Sequence, residues 1–389
     1  MKKKTLSLLF FFFIFEFVAW TQTHEKDSTS EINSIIEGIK RMESKQDKFH
    51  LFLNTQGTFD ALFGEGDNLN HGKFTMKQLR IEAKGNVNDW LFYRYRQRLN
   101  RNNDGSQSID NLPQSIDMAY VGAQLNKKVS VLVGKQTAAY GGIVFDLNPI
   151  LIYEFPDMIE YMECFMTGVS LIYDINSMHQ LQFQILNSYN KSIKDTYGID
   201  LESAKLPLVY SLNWNGNFKN IYLTRWSASY MNETKNKALY YFAFGNILKL
   251  NQFGAFFDFM YSREDADNKG ILREYSYLNT EYLSYVLNLN YKINQNWNVF
   301  IQGMFEKANL RKSSDKMINN EIQTFTKGNY RNSYGYMAGL EYYPLKDSNL
   351  YLFISYVGRK FDYSNRAILN DDYMTNRFSI GFSYQLPLF

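Results

Sequence analysis

The chain of 389 residues has one cysteine, Cys164, six prolines and four histidines. A single cysteine makes no internal disulfide, so in an oxidising compartment the fold must rest on hydrogen bonds and packing. The histidines, His24, His50, His71 and His179, are scattered, and no HExxH, GxSxG or Cys/His spacing accompanies them. An enzyme would thus lack both a nucleophile with its base and a metal cluster. Beyond the N-terminus no apolar run approaches the roughly 20 residues that a membrane helix needs, which excludes a bundle of such helices. An excess of one charge is missing too: 42 Lys and Arg against 39 Asp and Glu give a net charge of +3. That balance does not describe a nucleic-acid binder or a polybasic membrane surface.

What the chain does have is aromatic residues, 17% of the total, with 30 Tyr and 31 Phe. It begins like an exported protein: Lys2, Lys3 and Lys4, an apolar stretch from Leu6 to Phe15, then Val18-Ala19-Trp20-Thr21. Residues 1–21 therefore read as a signal peptide. Residues 22–48 read as a periplasmic helical or coiled-coil segment, with Ile32, Ile35, Ile39, Met42, Gln46 and Phe49 at heptad a and d positions. Ser28 and Glu31 offer a capping box ahead of it. Isoleucine at both a and d favours three or more helices; a lone amphipathic helix packed on another surface fits as well.

After Phe49 the apolar period becomes two and stays so to the C-terminus. About sixteen segments, most near ten residues or longer, follow this rule, the length of a tilted membrane-spanning strand. One face is apolar and aromatic, as in Phe253, Ala255, Phe257, Phe259 and Tyr261; the other is small or polar, as in Arg377, Ser379, Gly381 and Ser383. A soluble sandwich would turn the apolar face inward and a membrane barrel would turn it outward, so alternation alone does not choose. The links do. Tight turns such as Gly85 to Asn88, Asn126-Lys127, Asn215 to Asn217, Asn294-Gln295 and Lys346-Asp347 alternate with long links such as 101–115, 137–162, 190–206 and 310–329. That is the habit of outer-membrane barrels, and an even strand number puts both termini in the periplasm. The expected fold is all-β: an antiparallel transmembrane barrel of about sixteen strands over 49–389.

Within it, Tyr93 to Arg101 reads YRYRQRLNR. Arg94, Arg96 and Arg98 share one strand face and Tyr93, Tyr95 and Leu99 the other, the arginines stepping about 6.6–6.8 Å apart. If the aromatics face lipid, the arginines line the lumen, joined by Arg80 and Lys84 from the preceding strand. Guanidinium groups stay charged and suit carboxylate and phosphate, so a row of them lowers the barrier for anions. The alternative is that the arginines pair with carboxylates such as Glu82, Asp258, Glu306 and Glu341 and stiffen the wall. Residues 137–162 are too apolar for a water-bathed loop and too interrupted by Gly141-Gly142, Pro149 and Pro156 for a strand. A loop folded into the lumen satisfies both facts, with Asp146, Glu154, Asp157 and Glu160 facing the arginines; packing at a subunit interface or capping the barrel are the alternatives.

The stretches FTMKQLRIEAKGNVNDWLFYRYRQRLNR (74–101), IDMAYVGAQL (116–125) and VGKQTAAYGGIVFDLNPILIYEFPDM (133–158) resemble the phosphate-selective porins of the O and P type, in the form found among Bacteroidetes-like bacteria. The resemblance is clearest over 49–190. It implies a trimeric, anion-selective, sixteen-stranded outer-membrane channel with no cofactor, its constriction formed by the loop after the fifth strand, Tyr140 included. It also implies an arginine ladder, matched here by Arg80 to Arg98, and a lysine cluster, for which Lys84 and Lys135 are the nearest candidates. Small anions, with phosphate leading, are the expected substrates. A general porin and an adhesive barrel with a plugged lumen remain the other readings.

Overall fold

The computed structural model describes residues 48–64, 69–101, 109–189, 191–346 and 348–389. The expected signal peptide, and the helical segment 22–48 apart from its last residue, lie outside the described residues. The period-two sequence forms strands β1 (His50–Phe63), β2 (Leu69–Asn86), β3 (Leu91–Arg98), β4 (Ile116–Gln124), β5 (Val129–Thr137) and β6 (Phe165–Asp174). These are followed by β7 (His179–Asn187), β8 (Ser203–Phe218), β9 (Tyr222–Thr234), β10 (Lys237–Leu250), β11 (Phe253–Ala266) and β12 (Leu278–Lys292). The last are β13 (Trp297–Leu310), β14 (Ser314–Ile318), β15 (Glu321–Phe325), β16 (Gly328–Tyr342), β17 (Tyr351–Tyr363) and β18 (Tyr373–Pro387).

Sixteen of these strands close into one antiparallel barrel in which β1 pairs with both β2 and β18. Closure leaves no exposed sheet edge and satisfies every ladder bond between strands, the condition for crossing hydrocarbon. The other two, β14 and β15, make a separate hairpin in the link between β13 and β16. The sequence pattern predicts a plain link over 310–329, where the structure has this hairpin. Its turn is Asn319-Asn320, both at positive φ (52° and 67°), flanked by alternating residues, which is the signal that would have revealed it.

The direction of the two faces decides between sandwich and membrane barrel. Leu212, Trp226, Phe244, Phe257, Leu287 and Ile380 are exposed, whereas their neighbours Ser211, Asn213, Ser227, Asn288 and Ser379 are buried. Ile301 is 53% exposed and Phe300, one residue away, 3%. Outward aromatics also join across strands. Trp214, Trp226, Phe244, Phe259, Tyr285, Phe305 and Tyr334 touch in series over β8 to β13 and β16, with ring centroids 5.0–6.5 Å apart. Such pairs contribute about 0.5–1.5 kcal/mol each beyond area burial. An apolar exterior around a polar interior is stable only with lipid outside.

The tight turns have one mechanism in common. Asn88 Oδ1 accepts from the N–H groups of Trp90 and Leu91, and Asn126, Asn176 and Asn294 accept in the same way from the residues two and three positions on. An asparagine side chain thereby replaces a backbone turn bond at four hairpins. At the seam, β18 runs through Pro387, and Phe389 still pairs: its carbonyl accepts from Leu51 N–H at 3.0 Å.

Candidate functional site, a lumen with two unlike sides

Residues 138–164 leave β5, cross the interior and return to β6. Most of their long-range bonds among the described residues are to the inward face of the wall. The amide N–H groups of Ile143 and Val144 donate to the two oxygens of Asp258 on β11 at 2.7 and 2.9 Å. The Ile150 carbonyl accepts from Gln56 on β1, Tyr351 on β17 and Ser383 on β18, at 3.0, 3.1 and 2.9 Å. Asn148 reaches Asn54 on β1, and the hydroxyl of Tyr153 donates to Glu341 on β16. A 3-10 turn at Pro149–Leu151 and a short helix α1 (Asp157–Glu160) shape the path. Gly141 and Gly142 have φ of +74° and +80°, and a Cβ on Gly141 would lie 2.5 Å from Ser227 Oγ. Only glycine permits that conformation so close to β9.

Three loop carboxylates hold arginines of the wall. Asp146 takes Arg225 on β9 in a two-pronged pair. Asp157 takes Arg331 on β16 and Arg359 on β17, the latter at 2.8 Å, and its own N–H donates to Glu306 on β13. Arg359 also pairs with Glu306 at 2.7 Å, and Glu154 takes Arg377 on β18 at 2.8 Å. Around these ion pairs lies the hydrophobic core. Tyr140, Val144, Phe145, Ile152, Met158 and Met162 of the loop pack on Val209, Met231, Tyr241, Met260, Val286, Met304, Met337 and Val357 of β8 to β17. Tyr140 is 1% exposed, its hydroxyl against Met231 Sδ, so its role is packing.

The opposite wall, β2 to β5, carries the arginine row, and its partners come from the wall itself. Asp117 on β4 receives Arg80, Arg96 and Arg98 at 3.0, 3.1 and 2.6 Å. Glu82 on β2 receives Arg94 at 2.7 Å and Asn54 at 3.2 Å. A register shift between Arg96 and Gln97 brings Asp117 to the arginine face. Lys135 pairs with Asp110 at 3.2 Å and is 1% exposed. Lys84 lies over the Phe52 ring. Of the row, Arg94 and Arg98 keep the most exposed side chains, while Arg80 and Arg96 are buried. Sequence reasoning missed Asp117, because its alignment with three arginines follows from strand register.

Between the loop and the β2–β5 wall runs a cavity of about 610 Å³. Its lining extends from Lys84 and Gln385 near the tight-turn end to Lys191, Asp195 and Arg273 in the long links. Among the described residues twelve Lys and Arg line it against five Asp and Glu, and all six residues Arg80, Lys84, Arg94, Arg96, Arg98 and Lys135 are among them. Glu160 and Asp146 line it from the loop side.

A family model described as phosphate-selective porin O and P matches residues 49–386. The chain belongs to this family. It is an outer-membrane porin, and its family and fold are those of a channel. No curated protein matches the sequence. Among solved structures, the outer membrane channel DcaP of Acinetobacter baumannii is similar over 87% of this chain and 97% of its own, with a TM-score of 0.57 and 14% identity. The outer-membrane OmpT of Vibrio cholerae matches over 89% and 100%, with 0.56 and 11%. An anion-selective porin from Comamonas acidovorans matches over 88% and 100%, with 0.57 and 8%. At such identities the likeness is one of fold.

Proposed function

We propose that this porin passes small anions, phosphate among them, by passive diffusion through the cavity between the inner loop and the arginine wall. The observation that carries the reading is the excess of cations lining that cavity. On the wall itself four arginines share two carboxylates, Asp117 and Glu82, which leaves local positive charge facing water. Arg94, Arg98 and Lys84 meet the passing ion; buried Arg80, Arg96 and Lys135 act through their field. Residues 137–162 form the constriction. Flow down a gradient requires no cofactor and no catalytic group.

The same reading makes the protein an exported homotrimer with both termini periplasmic and residues 1–21 removed. A related OmpT structure is described in a trimer form, which supports that assembly here. The test is a reversal potential in a KCl gradient across a planar bilayer, repeated with Arg94→Gln and Arg98→Gln together. Anion preference that falls several-fold in the double variant is expected, and phosphate should reduce the chloride current. Cation preference, or none, in the parent would overturn the reading and leave the arginines as wall structure.

A further inference from the structure

The cavity is not cationic all round. Facing the arginines, the loop presents Leu147, Ile152, Phe155 and Tyr161, and Phe165 lies at the start of β6. Leu147 and Phe155 are half-buried with their inner sides on the core, which accounts for part of their apolar character. Tyr161 has no such explanation: it lies outside that core, is 48% exposed and lines the cavity. Phe165 receives the guanidinium groups of Arg96 and Arg98 at 5.2 and 5.6 Å from its ring centroid, so cation and ring are already neighbours at one edge. A fully hydrated inorganic ion uses only one of these two sides.

Resting on the anion-channel reading above, we propose that the preferred solute is an amphiphilic organic anion, a carboxylate or sulfonate head on an aromatic or alkyl body. The head runs along Arg94 and Arg98 while the body slides on Tyr161 and Phe155. Removing apolar area from water favours the organic anion over a bare one of equal charge, although it is the larger.

The test compares three potassium salts, benzoate, acetate and phosphate, for their effect on chloride current through single channels at neutral pH, with a protein-free bilayer as control. Benzoate should half-block at a concentration at least tenfold below acetate or phosphate, and Tyr161→Ser should remove that advantage, which Tyr161→Phe should keep. Equal effects of benzoate and acetate, or phosphate blocking best, would overturn the proposal with the anion reading intact. Cation preference in plain KCl would instead remove the anion reading itself. If Tyr161→Ser alters chloride conductance as well, Tyr161→Phe, which keeps the ring, must restore the benzoate effect or the proposal fails.

Discussion

The two sides of the lumen hold arginines in opposite ways. On the side of β9 to β18, Arg225, Arg331, Arg359 and Arg377 are tied to carboxylates brought by the loop, and the Arg331 and Arg359 pairs are buried beside the apolar core. On the β2–β5 side the arginines share carboxylates of their own wall, three of them on Asp117 alone, and the cavity lies beyond. The same residue type thus serves as a rivet where each charge meets a loop carboxylate, and as a source of field where several share one carboxylate beside the cavity. The difference lies in the number of carboxylates and the packing around them.

The sharpest way to break this comparison is to remove a rivet. Asp157→Ala would strand Arg331, while Arg359 keeps Glu306 at 2.7 Å, and losing one partner of a buried pair costs about 3–5 kcal/mol. Chemical denaturation of the detergent-folded protein should report that loss, and single-channel current should rise and become noisier as the loop detaches. A parent-like denaturation midpoint would show that the loop is held by packing alone.

On the open side the expected effect moves from stability to selectivity. Arg94→Gln with Arg98→Gln keeps Arg80 and Arg96 on Asp117 and Asn54 on Glu82, so stability should fall less than in Asp157→Ala. The anion-to-cation permeability ratio should fall about fivefold or more, since each wall charge acts over a few ångströms of partly screened water. If stability drops by several kcal/mol with no change in ratio, the two sides are alike after all.

A smaller, pH-dependent effect belongs to Glu160, which lines the cavity from the loop. Burial, and then the neighbouring Glu154 carboxylate, push its carboxyl up. As pH falls it takes up a proton earlier than an ordinary carboxylate, removing a negative charge from the path. Anion preference should therefore increase with acidification, starting above the usual carboxylate range, and Glu160→Gln should flatten that part of the profile. Least of all, Tyr140→Phe removes only a weak hydroxyl contact with Met231, worth about 1 kcal/mol or less, and should leave selectivity untouched.

Much of this architecture was legible from the chain. A period of two, sustained from β1 to β18, reveals strand number and faces because side-chain direction in a strand is fixed by parity. An inward fold of 137–162 was suggested by apolar residues with no strand to join. What was hidden depends on register. Asp117 stands 19 residues from Arg98 in sequence, and only the β3–β4 pairing with its shift makes them partners. In the same way the loop acids find Arg225, Arg331, Arg359 and Arg377, 79 to 223 positions away in sequence. Asp258 and Glu341, weighed as arginine partners, instead take loop amides and the Tyr153 hydroxyl.

The β1–β18 seam has a consequence for assembly. The loop is synthesised well before the strands that fasten it: Tyr351, Arg359, Arg377 and Ser383 belong to the last two strands made. Until those strands pair, Asp157 lacks Arg359 and Glu154 lacks Arg377, and the barrel is an open sheet with two edges. Docking of the loop and closure of the wall are therefore completed by the same late contacts, between residues more than 200 positions apart. Such high sequence separation makes for slow folding, with closure as its final step, and a chain shortened by its last strand would lose the seam and part of the latch at once.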